Sequence, residues 1–241
     1  VAEPVDAAAF LDACRVDPAV QELRGDYRAV LIVVEGIVPE RAPVGPGAID
    51  ALVAAAEAHA RALLAQLPVT ELPHIAAWRE AYQAFGAKPQ RTRNSLEALT
   101  RRAESGLPRV NPLTDIYNAI SVLHQIPLGG EDLLTYQGPA QLVRAAGDEP
   151  FDAIANGEAT VEYPEPGEVI WRDNAGVTCR RWNWRQGRRT ALTEQTTSAL
   201  FICDSLAPMS DAALAAAADA LTAALRGLGP DVRATRRVVT A

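Results

Sequence analysis

The feature that most constrains this chain is a change of hydrophobic period near Asp132. Before it, apolar residues recur at helical spacing; after it, short β-branched and aromatic runs alternate with turn residues. Ile75, Trp78, Tyr82 and Phe85 form one helical face, and Ile49, Leu52, Val53, Ala56, Ala60, Leu63 and Leu64 another, between Pro46 and Leu67. After Asp132, strands are expected at Leu133–Tyr136, Leu142–Ala146, Ala159–Tyr163, Glu168–Arg172, Val177–Trp184 and Leu200–Asp204, with Asp148–Phe151 as a turn and Arg189–Thr193 leading onward from a turn at Arg185–Arg188. Asp173-Asn174-Ala175-Gly176 makes a hairpin of the fourth and fifth. One strand falls early: Tyr27 to Val38 is almost continuously apolar and β-branched, which suits a strand covered on both faces. Pro39, Pro43 and Pro46 mark a loop, Ser210–Leu228 a helix, and Asp231–Thr240 a closing strand. Helices first and strands second predict an α+β fold, and without a repeat or low-complexity linker, residues 1–241 are expected to form one domain.

Two helix starts are well marked. Asn94-Ser95-Leu96-Glu97 has the form of a capping box. Asn111-Pro112 combines a capping side chain with proline at the first helical position. The helix that follows has Leu113, Ile116, Ile120 and Leu123 on one face, with Asp115, Asn118 and Gln125 roughly opposite. Taken alone, that polar file is either a cleft wall or an ordinary solvated face.

Formal net charge is −7, which argues against a chain coated in basic residues for nonspecific nucleic-acid binding. Basic residues are nonetheless clustered: Lys88, Arg91, Arg93, Arg101, Arg102 and Arg109 in one region, and six arginines from Arg172 to Arg189 in another. Each cluster is either a solvated face or a local phosphate-binding patch. No apolar run reaches the roughly 18 residues of a membrane span, and Val1-Ala2-Glu3-Pro4 lacks the form of a secretory signal. Cys14, Cys179 and Cys203 show neither metal-ligand nor disulfide spacing, so a reducing cytoplasm is expected, with no metal and no cofactor.

The chain has no phosphate-binding glycine loop, no His-Glu-x-x-His and no Gly-x-Ser-x-Gly. What remains is polar: Asn111, Asp115, Asn118, Ser121, Gln125, Arg180, Arg181, Asn183, Glu194, Thr196 and Thr197. Asp115 and Glu194 are the evident bases among them. If the strand through Val177 continues to Trp184, Arg181, Asn183 and Arg185 share one face, and Arg180, Trp182 and Trp184 the other. Cys179, beside two arginines, is either an activated thiol or a small packed residue.

Asn111 with Asp115-Ile116-x-Asn118, followed by Gln125 and Pro127-Leu128, resembles the B3/B4 domain of the phenylalanyl-tRNA synthetase β subunit. Asp173 to Trp184 and Ala199 to Leu206 resemble freestanding B3/B4 proteins, and the likeness spans about residues 27–225. The resemblance implies a three-layer α+β fold containing a β-sandwich of unusual topology. It also implies hydrolysis of mischarged aminoacyl-tRNA in trans, without metal or covalent nucleophile. On that reading Asp115, Asn118 and Glu194 are catalytic. Asn111, Tyr117, Ser121, Gln125, Arg181 and Asn183 bind the aminoacyl group. Lys88, Arg91, Arg93, Arg109 and Arg180 meet the acceptor end of tRNA. The chain departs from the synthetase at two positions: Tyr117 stands where Thr is common, and Gly129 where His follows Pro-Leu. An altered pocket follows, narrower if the Tyr117 ring points inward. The rivals are a noncatalytic tRNA- or amino-acid-binding protein and a small-molecule hydrolase on the same scaffold.

Overall fold

A computed structural model describes residues 6–38 and 47–240. The expected Pro39–Pro46 loop and the first residues of the chain lie outside the described residues. The first half contains α1 (Ala7–Ala13), β1 (Arg15–Val16), α2 (Pro18–Leu23), β2 (Arg28–Glu35), α3 (Ala48–Leu64), α4 (Pro73–Ala84), α5 (Ser95–Arg102) and α6 (Pro112–His124). The second contains β3 (Leu128–Asp132), β4 (Gln141–Arg144), β5 (Phe151–Ala155), β6 (Glu158–Glu162), β7 (Val169–Arg172), β8 (Val177–Arg180), β9 (Arg185–Gln186), β10 (Ser198–Ser205), α7 (Asp211–Leu225) and β11 (Arg233–Thr240).

The strands form two sheets. The smaller runs β11-β2-β10-β3, with antiparallel neighbours throughout. The larger runs β1-β4-β7-β8-β5-β6, and β9 pairs with β8 off this path. The continuous apolarity of β2 now has a physical reason. Ala29, Leu31 and Val33 face the larger sheet and pack with Leu142, Val169 and Trp171. Val30, Ile32 and Val34 face the other way, onto Ile116 and Ile120 of α6 and Leu214 and Leu221 of α7. Both faces are therefore buried, and the order is helices, smaller sheet, larger sheet. On the outer side of α6, Ala119 and Val122 pack against Val53, Ala56 and Ala60 of α3 and Leu99 of α5. The fold is α+β, as expected, with the two sheets packed face to face.

The helix starts behave as their sequences require. Asn111 Oδ1 accepts from Thr114 N at 2.9 Å, and Asn94 Oδ1 from Glu97 N at 2.9 Å. The reciprocal half of the capping box is missing, because the Glu97 carboxylate is taken by Arg79 and Arg101. The β7–β8 turn is built around buried Asp173, which accepts from Ala175 N and Gly176 N and pairs with Arg189 at 2.7 Å.

Several elements differ from expectation. Leu133–Thr135 is a 3-10 turn, not a strand, and the strand lies upstream, through Gly129 and Gly130. Those glycines are required by crowding: a Cβ on Gly130 would stand 2.7 Å from the Phe201 ring and 2.8 Å from Leu192 Cδ1. Phe151 opens β5 rather than ending a turn. β8 stops at Arg180, because Arg181 and Trp182 adopt positive φ of 46° and 67°. The expected two-sided alternation to Trp184 therefore fails. Trp182 turns into the core against Tyr27 and Trp78, with ring centroids 5.1 and 5.2 Å away.

Candidate functional site

A pocket of about 250 Å³ opens where α5 and α6 meet the space between the two sheets. Along β10, Leu200, Ile202 and Asp204 project into that space, since alternate residues share a face. β3 pairs with β10 so that Glu131 stands opposite Leu200 and Gly129 opposite Ile202. Gly129 has no side chain, and Gln186 Nε2 takes the space that a Cβ there would fill. Trp171, Cys179, Trp182, Asn183 and Leu128 complete the buried floor and walls. Ser95 and Ala98 of α5 and Trp184, Arg185 and Gln186 are partly or wholly exposed and form the mouth. From α6 come Tyr117 and Asn118. The Tyr117 ring packs on Phe201, its hydroxyl donates to Gln186 Oε1 at 3.4 Å, and Gln186 Nε2 donates to Gly130 O at 2.9 Å.

Two buried carboxylates line this pocket, and they differ in how they are satisfied. Asp204 Oδ1 accepts from the Tyr27 hydroxyl at 2.6 Å, and Oδ2 from Asn183 Nδ2 at 3.4 Å. The Tyr82 hydroxyl in turn donates to Asn183 Oδ1 at 2.9 Å. Loss of solvent raises Asp204 from 3.8 to about 7, with those donors holding it down. Glu131 is raised by burial from 4.5 to about 7. Tyr136 donates to its Oε2, while Oε1 has no hydrogen-bond partner among the described residues. Burial pushes the Cys179 thiol well above its ordinary range, so it is no nucleophile at neutral pH. His74 sits behind the pocket as a neutral ring: Nδ1–H donates to Gln125 O at 2.8 Å, and Nε2 accepts from Trp78 Nε1 and Leu206 N. Desolvation lowers its pKa to about 4.

The residues singled out from the sequence are distributed unevenly. Tyr117, Asn118 and Asn183 line the pocket. Asn118 is 8% exposed, and its side chain makes no hydrogen bond among the described residues. Asp115 is not in the lining. Its carboxylate closes the turn before α6, accepting from Val110 N at 2.8 Å and Arg109 Nε at 2.9 Å. Arg109 also pairs with Asp50. Asn111 caps α6 and donates to Leu192 O, Ser121 donates to Ile126 O at 2.6 Å, and Gln125 ends the helix in the left-handed region. Glu194 is exposed on the loop before β10 and away from the lining. Arg180 is buried in a two-pronged pair with Glu168, at 2.9 and 2.7 Å. Arg181 lies over the Trp184 ring at 4.6 Å and donates to the Thr92 hydroxyl. That contact seats the 88–93 turn beside the mouth, where Lys88 and Arg91 are exposed with no ion pair among the described residues, and Arg93 stands 3.9 Å from Glu97.

Glu131, Asp204 and Gln186 carry no conspicuous motif. The available signal was an acid within or at the end of a run otherwise fit for burial, as in Leu200-Phe201-Ile202-Cys203-Asp204. Among the described residues no group of three His, Cys, Asp or Glu comes together as a metal site would require, and no helix is long and apolar enough to cross a membrane.

Residues 77–239 match the family model of the B3/4 domain. The chain belongs to the B3/4 domain family. The match takes in the pocket: α5, α6, β3, β10 and the Trp182–Gln186 segment all fall inside it. Among solved structures, an N-terminal fragment of the phenylalanyl-tRNA synthetase β-subunit from Pyrococcus horikoshii is similar at 11% identity and a TM-score of 0.44. The alignment covers 94% of this B3/4 chain and 50% of that one, so this chain spans half its length. No curated protein matches by sequence.

Proposed function

We propose that this B3/4 protein is an aminoacyl-tRNA deacylase acting in trans, with the aminoacyl group held in the α5–α6 pocket and the terminal adenosine at its mouth. The observation that carries this reading is Asn118, a nearly buried amide on the pocket wall with no partner among the described residues. An amide so placed can donate to an ester carbonyl and stabilise the oxyanion that forms when water attacks. The attacking group is water, since Cys179 is held in its thiol form. A ribose hydroxyl of the substrate assists the proton transfer, which removes the need for a strong base on the protein. The 88–93 turn supplies exposed cations next to the mouth for the phosphates of the acceptor end. The test is a panel of mischarged tRNAs incubated with the protein, alongside an active editing synthetase. Accelerated release of at least one amino acid supports the reading; no acceleration for any member refutes it.

One observation favours a noncatalytic binding protein instead. The expected acids Asp115 and Glu194 do not line the pocket, and Arg180 and Arg109 are engaged in ion pairs. Salt-dependent tRNA binding without turnover is the outcome that selects this alternative.

A further inference from the structure

We infer that the pocket is shaped for an aminoacyl group whose unbranched side chain ends in a protonated amine, with Glu131 as the group that receives it. This rests on the reading that the pocket holds an aminoacyl group. Glu131 lines the pocket, is 1% exposed, and keeps one carboxylate oxygen without a hydrogen-bond partner. A buried carboxylate lacking a partner is costly, and a ligand that supplies a donor removes that cost. Asp204, the other acid of the lining, does not present this vacancy, because Tyr27 and Asn183 occupy both of its oxygens. The Thr178 hydroxyl, buried behind the lining and without a partner among the described residues, stands beside Glu131 and Tyr136.

The surroundings select a cation over an anion. The one basic residue in the lining is Arg185, at the mouth, and its guanidinium is engaged by Glu162 at 3.0 Å. The floor carries the indoles of Trp171 and Trp182. Acids and indoles whose neighbouring cations, Arg185 and Arg189, are already paired with Glu162 and Asp173 are the chemistry that receives an ammonium group.

Depth distinguishes the side chain from the α-amine. The ester and α-amine are attached to a ribose too large for the pocket, so they remain near Ser95, Asn118 and Arg185. Glu131 is 1% exposed, whereas Ser95 and Arg185 are partly exposed, so the side-chain terminus is the part of the ligand assigned to Glu131. Tyr117 and Gln186, the latter packed against Gly129, close one wall and favour an unbranched chain.

The test uses binding, so that it is separate from deacylation. The intact protein is titrated calorimetrically with lysinamide, ornithinamide and norleucinamide, which share the α-amine and differ at the side-chain end. At least one of the two diamines is expected to bind 10-fold or more tightly than norleucinamide. Glu131→Gln is expected to erase that preference while leaving norleucinamide unchanged, and Glu131→Asp to retain part of it. Equal affinities for all three, or no binding by either diamine, overturn the proposal even if some mischarged tRNA is hydrolysed. So does a Glu131→Gln protein, folded by circular dichroism, that keeps the preference or loses all three probes equally. Diamine selectivity without turnover of any tRNA would refute the deacylase and leave the ligand class standing.

Discussion

Replacing Asp204 by Asn should change the shape of the stability–pH curve, by an amount that follows from the site. In the folded protein the carboxyl is held near 7, against 3.8 for an ordinary aspartate, because solvent is excluded around it. Below about pH 4 both states hold the proton, and the group favours neither. As pH rises from 4 to 7 the unfolded chain releases its proton while the folded one keeps it. Stability is lost across that window at about 1.4 kcal/mol per pH unit, or about 4 kcal/mol in all. His74 works in the opposite sense. Its folded pKa of about 4 lies below 6.5, so the unfolded state binds the extra proton and stability rises as pH climbs through the same range. Glu131 adds to the loss between 4.5 and 7. Both are present in wild type and variant, so their contributions cancel in the difference. Urea unfolding of the two proteins at half-unit intervals from pH 4 to 8 isolates Asp204. Asp204→Asn is expected to gain about 4 kcal/mol relative to wild type between the ends of the window, whatever constant offset the new amide introduces. Parallel curves would show that Asp204 is not held neutral by burial, and the electrostatic reading of the pocket would fail.

Three further outcomes follow from named contacts. Glu168→Ala leaves the buried Arg180 guanidinium without its two-pronged partner and with Glu162 alone at 3.2 Å; unfolding free energy should fall by about 3 kcal/mol in urea. Asn118→Ala should lower the deacylation rate about 100-fold with no change in melting temperature, because the amide has no partner to lose among the described residues; a stability loss with unchanged rate would reverse its role. Lys88→Ala combined with Arg91→Ala should weaken tRNA binding about equally for different tRNAs and reduce the slope of log affinity against log salt by about 1–2, measured by filter binding from low to moderate salt.

Much of the fold could be read before any coordinates, because it rests on local chemistry. Asn111-Pro112 specifies a helix start by satisfying and removing first-turn donors, and α6 begins there. The apolar run from Arg28 to Glu35 required cover on both faces and lies between a helical layer and a second sheet. Asp173-Asn174-Ala175-Gly176 makes its own turn with hydrogen bonds inside the motif. The sequence by itself thus determined the class of fold, the principal helices and the helix that forms one wall of the pocket.

The site was decided by tertiary contacts. Gly129-Gly130 looks like a break in the chain, yet it pairs as a strand with β10, where Phe201 and Leu192 leave no room for a Cβ on Gly130. Asp115 looks like a base on a polar helix face, but a backbone amide and Arg109, arriving from the preceding turn, take both its oxygens. Arg180 and Arg181 are neighbours in sequence, yet one is buried against Glu168 and the other lies over Trp184, since β8 ends between them. Glu131 and Asp204 acquire their shifted pKa values from water excluded by residues far away in the sequence, such as Tyr27 against Asp204. Local patterns encode which backbone conformation a segment adopts. Desolvation and steric exclusion belong to the assembled layers, and they determine which polar groups face the pocket without a partner.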